Sequence, residues 1–239
     1  MYSQQKLPIL VEVYGGPRGQ LVTNEFKFPR HIRSIMAVYN AGFAVLCVDG
    51  RGSANRGHEF ESQITMPYLG VNEAADQTEV DGSVMQFAKS LDFERVAVYG
   101  WSYGGYLALK CIAHHPHTFK MAIAGSPVTD WMLYDTAYTE RYLGVPSTKD
   151  PAVAARYRAS SVLVDAPLFP NEPNRVLIVH GDQDENVQIE HSMKLSAELV
   201  KLGKPHTLQP FHGERHGFKS HESNIHLDTL MLYWLQNYL

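Results

Sequence analysis

Short apolar, β-branched runs, most of them bounded by glycine, recur along the chain at residues 8–15, 42–49, 95–100, 121–125, 175–181 and 206–211. Continuous runs of this kind, rather than alternating ones, suit parallel strands covered on both faces. Helical patterns lie between them. Val80, Val84, Phe87 and Leu91 repeat at steps of four, three and four, which predicts one helix face. Leu195, Leu199 and Leu202 predict another, with Gly203 as its stop. Leu227, Leu230, Met231, Trp234, Leu235 and Tyr238 predict a C-terminal helix. Strand–helix alternation of this length predicts an α/β fold with a mostly parallel, doubly wound sheet. Residues 126–174 interrupt the rhythm, and an insertion at the carboxyl edge of such a sheet usually caps or lines a site.

Composition sharpens the picture by exclusion. A chain of 239 residues, 44% apolar and 19% charged, is neither disordered nor fibrous, and it is read as one domain over 1–239. The balance of 21 Lys+Arg against 25 Asp+Glu points to no nucleic-acid partner. The apolar runs are strand-length, short of the ~20 residues of a membrane span, and the first residues lack the layout of a signal peptide. Cys47 on a strand and Cys111 on a helix, each among apolar neighbours, read as buried reduced thiols. These features predict a cytoplasmic protein that does not engage a membrane.

The candidate chemistry starts at Gly100-Trp101-Ser102-Tyr103-Gly104, which fits G-x-S-x-G between a strand and a helical stretch. In such an elbow the serine occupies a strained backbone position, and the flanking glycines let strand and helix approach without a Cβ clash. Ser102 then projects above the sheet while the Tyr103 N–H faces a developing oxyanion. A serine nucleophile needs a base, and the base an orienting acid, in chain order Ser, Asp, His on later strand ends. The run ending at Gly181 offers Asp182 and Asp184, and the run ending at Phe211 offers His212 and His216, with His221 further on. Spacing alone does not choose among them. The His114, His115, His117 cluster reads as a helix end at Pro116 rather than a metal site, so no metal is expected.

Longer and rarer strings surround this elbow: Tyr14–Pro17, Asp49–Ser53, Gly100–Tyr106, Tyr138–Tyr142, His180–Val187 and Glu214–Gly217. Together they resemble the prolyl oligopeptidase family of serine peptidases, in its dipeptidyl peptidase IV branch, and Asn171–Arg175 with Glu214–His216 look most similar to the cytosolic members of that branch. The resemblance implies an α/β-hydrolase fold and a dipeptidyl-peptidase-like serine peptidase that hydrolyses peptide bonds after proline without a cofactor. It implies Ser102 as nucleophile, Asp184 as acid and His216 as base, with the Tyr14 hydroxyl joining the Tyr103 N–H as oxyanion donor. It also implies a proline pocket of Trp101, Val128, Trp131, Tyr134, Tyr138 and Val187, with Asn186 bonding a substrate carbonyl. From spacing alone, Trp131, Tyr134, Tyr138 and Tyr142 share one face if the segment is helical, a pattern equally natural for an aromatic core stripe. An apolar slot suits a pyrrolidine ring, which has no N–H to satisfy.

The resemblance also implies a peptide substrate, homodimerisation through this domain, about eight strands and a preceding β-propeller whose acidic pair holds the substrate N-terminus. The six runs here start at what corresponds to the third strand, and nothing matches that pair, so the chain reads as a fragment or a truncated product lacking its first edge strands. Two rival readings remain at this level. One is an esterase or small-amide hydrolase of the same fold; the other is a non-catalytic binding module.

Overall fold

The six apolar runs fold into one sheet of six parallel strands: β1 (Leu7–Val13), β2 (Ala44–Cys47), β3 (Leu91–Trp101), β4 (Met121–Gly125), β5 (Val176–Gly181) and β6 (Thr207–Phe211). A computed structural model describes residues 6–25, 36, 38–64, 69–85, 88–146 and 150–239, with the side chains of 80–85 outside that description. The strand order is β2-β1-β3-β4-β5-β6, so the chain reverses direction once, between β2 and β3. Ligands of open α/β sheets bind beyond the carboxyl ends of the strands, near such a reversal.

Nearly every residue of β4 and β5 is buried, because helices cover both faces. After a short α1 (His58–Ser62), one face packs α2 (Val71–Met85), α3 (Tyr103–His114) and α7 (Glu190–Lys201), joined by Ile9, Val11 and Val13 of β1. The other face packs α8 (His221–Tyr238), whose Leu227, Met231, Trp234 and Leu235 meet Leu10, Ala97, Tyr99 and Val179. Period-two alternation along β1 therefore sorts its side chains between two cores.

The helix expected through Val80, Val84, Phe87 and Leu91 is a correction: α2 ends at Met85 and Leu91 opens β3. Phe87 lies outside the described residues. Leu91 pairs with Leu7 across the sheet, a tertiary contact that outweighs its helical spacing. In α7, Leu195 and Leu199 are buried while Leu202 caps the helix and is exposed, and Gly203 takes the positive φ of a C-terminal stop.

The insertion between β4 and β5 carries a 3₁₀ turn (Trp131–Leu133), α4 (Thr136–Leu143), α5 (Pro151–Ser160), α6 (Val162–Asp165) and a second 3₁₀ turn (Ala166–Leu168). Asp130, Asp135 and Asp150 cap the first three of these starts. The buried Lys110 of α3 bonds Asp165 Oδ2 at 2.6 Å and the Ala159 carbonyl at 3.1 Å, tying the insertion to the helix behind the elbow. The helix α3 stops at His114, with His115 as its cap before Pro116, and His114 Nε2 lies 3.1 Å from Asp165. Cys47 is half-buried and Cys111 buried, and no disulfide joins them. Among the described residues no helix is long and apolar enough to cross a membrane, and no cluster of three or more His, Cys, Asp or Glu could hold a metal.

Candidate active site

Ser102 stands between β3 and α3 with φ 61 and ψ −117, the strained left-handed conformation expected of an elbow serine. Its N–H donates to the Gly125 carbonyl at 2.8 Å, and Ser126, just past β4, donates its N–H to the Val179 carbonyl, so the turn is pinned to its neighbours. A Cβ at Gly100 would run into the Gly104 carbonyl, and one at Gly104 into the Val13 carbonyl. Both positions therefore exclude any larger residue. Tyr103 is the first residue of α3, where a backbone N–H has no acceptor within the helix and is free for an anion.

The two candidate acid–base pairs separate cleanly. Asp182 Oδ2 meets His212 Nδ1 at 2.8 Å, but the His212 side chain is 83% exposed and lines no part of the cavity holding Ser102. Asp184 Oδ2 meets His216 Nδ1 at 2.9 Å, Asp184 is buried, and His216 lines the same cavity as Ser102. With Nδ1–H donated to the carboxylate, Nε2 is left as the acceptor facing the cavity chemistry. No hydrogen bond joins Ser102 Oγ to His216 among the described residues, a looseness common before substrate binds. His221 begins α8.

Asp184 is held as an anion. Burial alone would raise its carboxyl, yet hydrogen bonds from His180 and His216 and the Val187 N–H hold it below the usual carboxylate range. Oδ1 accepts from the Asn186 N–H at 3.0 Å and the Val187 N–H at 2.9 Å. His180, fully buried beneath it, lies 3.3 Å from Oδ2 through Nε2, which also faces the Val187 carbonyl at 2.7 Å; its Nδ1 meets Ser192 Oγ at 2.7 Å. A donating Nε2 fixes Nδ1 as the acceptor of the Ser192 hydroxyl. His180 is part of a quoted string, but nothing in spacing gives it this place.

The cavity measures about 450 Å³ and is lined by Ser102, Tyr14, Tyr103, Trp101, Val128, Trp131, Tyr134, Tyr138, Asn186 and His216, with Glu12, Val13, Leu21, Tyr99 and Gly100. The aromatic residues 131, 134 and 138 do share the site, though on a 3₁₀ turn followed by α4 rather than on one helix. Tyr138 stacks on Trp131 at 5.9 Å with 10° between planes, and Tyr134 stands edge-on to both. The Tyr134 hydroxyl donates to Asn186 Oδ1 at 2.9 Å, which leaves the Asn186 amide N–H₂ pointing elsewhere. Val187 is fully buried and does not line the cavity; its backbone serves Asp184 and His180. Trp101 lies on the sheet face opposite the stacked rings, edge-on to Phe218 at 5.0 Å, with Nε1 donating to the His216 carbonyl at 2.8 Å.

Two carboxyls near the elbow escaped the motif reading. Glu73, on α2, accepts from the Tyr103 hydroxyl at 2.6 Å and the Gly70 N–H at 2.9 Å, and burial pushes its carboxyl up to about 7. Glu12, on β1, faces the cavity and is pushed up to about 7 for the same reason. A carboxyl alone inside an apolar strand was the available signal for Glu12; Glu73 had none beyond a glycine three residues before it.

The parallel sheet and its strained serine turn define an α/β-hydrolase. Within that class the chain belongs to the prolyl oligopeptidase family, a family of serine peptidases, whose description matches residues 30–239. It is 40% identical to mouse dipeptidyl peptidase 8 over 235 residues, covering 98% of this chain and 26% of that protein. Against pig dipeptidyl peptidase 4 the identity is 35% over 98% of this chain and 29% of the relative. A crystal structure from Bacteroides ovatus, described as a dipeptidyl aminopeptidase IV, superposes with a TM-score of 0.87 at 29% identity, over 98% of this chain and 32% of that one. The chain thus spans between a quarter and a third of the length of these relatives.

Proposed function

We propose that residues 1–239 form the catalytic domain of a cytosolic, dipeptidyl-peptidase-like enzyme that cleaves peptide bonds after proline by acyl transfer. Ser102 Oγ attacks the scissile carbonyl as His216 Nε2 takes its proton, and the same proton passes to the leaving amine when the bond breaks. Water then repeats the sequence on the acyl-enzyme. The Asp184 carboxylate keeps the imidazole in the tautomer this requires, and the Tyr103 N–H with the Tyr14 hydroxyl receives the oxyanion. The slot of Val128, Trp131, Tyr134 and Tyr138 takes the pyrrolidine ring. The observation carrying this reading is the arrangement of one cavity: a strained serine, a histidine oriented by a buried carboxylate, and stacked rings beside them.

The test is intact mass after a fluorophosphonate probe, alongside hydrolysis of a glycyl-prolyl anilide. One added probe, absent in Ser102→Ala, together with anilide turnover is the expected result. Labelling with turnover of p-nitrophenyl esters but none of the anilide would replace the peptidase by an esterase. Absence of labelling on folded protein would leave a binding module.

A further inference from the structure

The cavity is lined by residues from both faces of the sheet, and each set forms one arm of it. The stacked rings, with Tyr103 and Val128, belong to the core on the α3 face. The second arm belongs to the α8 face: Glu12 follows Leu10 by two residues on β1, Tyr99 pairs with Glu12 in register, and Trp101 follows Tyr99 by two on β3. Ser102 sits at the divide, so an acyl group in the aromatic arm directs the leaving amine toward the other. Glu12 is the one carboxyl among the residues lining the cavity. It is only 6% exposed, and the hydrogen bond it has is a weak one, accepted by Oε2 from Cys47 Sγ at 3.4 Å. No cation among the described residues pairs with it.

Building on the peptidase reading, we propose that this second arm is a subsite for a basic side chain on the released part of the peptide, with Glu12 as its specificity-determining residue. A buried carboxyl lacking a cation is unfavourable as an anion. A lysine or arginine entering the arm supplies the missing charge, and Trp101, which lines the same cavity, adds an aromatic ring to the arm's wall. Burial pushes the Glu12 carboxyl up to about 7, so the group ionises readily when a cation arrives. Burial and the Glu12 charge push the Cys47 thiol up to about 12, which keeps it a protonated donor and not a rival nucleophile.

The test measures binding of the released fragment itself, so it does not depend on catalysis. Dipeptide amides carrying lysine, Nε-acetyl-lysine or glutamate are titrated into the full chain, with Trp fluorescence as readout, on parent and Glu12→Gln. Lysine binding about tenfold or more tighter than acetyl-lysine in the parent is expected, with glutamate weakest. In Glu12→Gln the lysine to acetyl-lysine ratio should fall to about one. Equal affinities in the parent would overturn the subsite whether or not the variant folds, and so would a lysine preference that survives in a folded variant. Absence of anilide turnover with the lysine preference intact would strike the peptidase reading and leave Glu12 as the anchor of a site for a basic side chain, no longer that of a released fragment.

Discussion

The two ends of the catalytic edge handle buried negative charge in opposite ways. At the β5–β6 end, Asp184 receives two backbone N–H groups and two imidazoles. Nearby, Glu214 receives the Lys219 N–H and the Ser220 N–H and hydroxyl; burial opposes ionisation there too, yet those bonds hold its carboxyl down to about 2. At the β1–β2 end, Glu12 has a thiol and Glu73 a phenol and one backbone amide, and burial pushes both up to about 7. All four side chains are buried, and the balance between their donors and the depth of their enclosure sets the outcome. The first end is built to stay charged, and the second holds carboxyls that give up their protons only near neutral pH. A triad acid needs the first kind of environment, and a selective ligand subsite can use the second.

The largest test of that contrast is Asp184→Asn. It keeps the shape and removes the charge, so the imidazole loses the partner that fixes its tautomer. A drop of about 10⁴-fold in kcat on the prolyl anilide is expected in a protein that still folds but has lost the stability its buried carboxylate contributed. A drop under tenfold would mean that the donors around Asp184 serve stability and not the reaction.

At the other end, Tyr14→Phe removes one hydroxyl from the cavity. The ring keeps its place 6.2 Å from Tyr103. If the hydroxyl is an oxyanion donor, kcat falls about 10²- to 10³-fold with KM little changed. A change confined to KM would make Tyr14 a wall of the pocket and leave the Tyr103 N–H as the donor.

How far the sequence reveals this contrast depends on range. The six strands are legible because buried parallel strands are continuous apolar runs, and the elbow is legible because its glycines answer a local steric demand. The acid and base are not separable by spacing, because two real Asp–His pairs lie two and four residues apart along the same two loops. Asp182–His212 is a surface pair and Asp184–His216 reaches the cavity, a difference of tertiary placement that periodicity does not carry. Leu91 defeats its spacing for a related reason: the helical period is real, but its partner is Leu7 on a distant strand. Glu73 is invisible at this level because its contact with Tyr103 is made across the fold, and His180 because spacing does not show the burial that places its ring beneath Asp184, four residues on.

The smallest expected effect concerns stability against pH. A carboxyl whose folded value lies above its unfolded one binds a proton in the native state when the unfolded chain has released it. Between the ordinary 4.5 and about 7, Glu73 therefore makes stability fall as pH rises, by about 3 kcal/mol at most once fully ionised. Glu12 acts with the same sign over the same window. Asp184 has the opposite sign: its folded value is depressed, so its contribution is present above pH ~4 and lost on acidification. His191, pushed down to about 4 by burial, also makes stability rise with pH, between about 4 and its ordinary 6.5. The parent curve thus mixes both signs, and the informative quantity is the difference between parent and Glu73→Gln in urea unfolding. The variant should gain on the parent steadily from pH 5 to 7.5, whatever its offset at pH 5. Parallel curves across that window would mean that Glu73 is already ionised at pH 5 and that its bonds to Tyr103 and Gly70 outweigh burial. The two ends of the edge would then differ in geometry alone and not in charge.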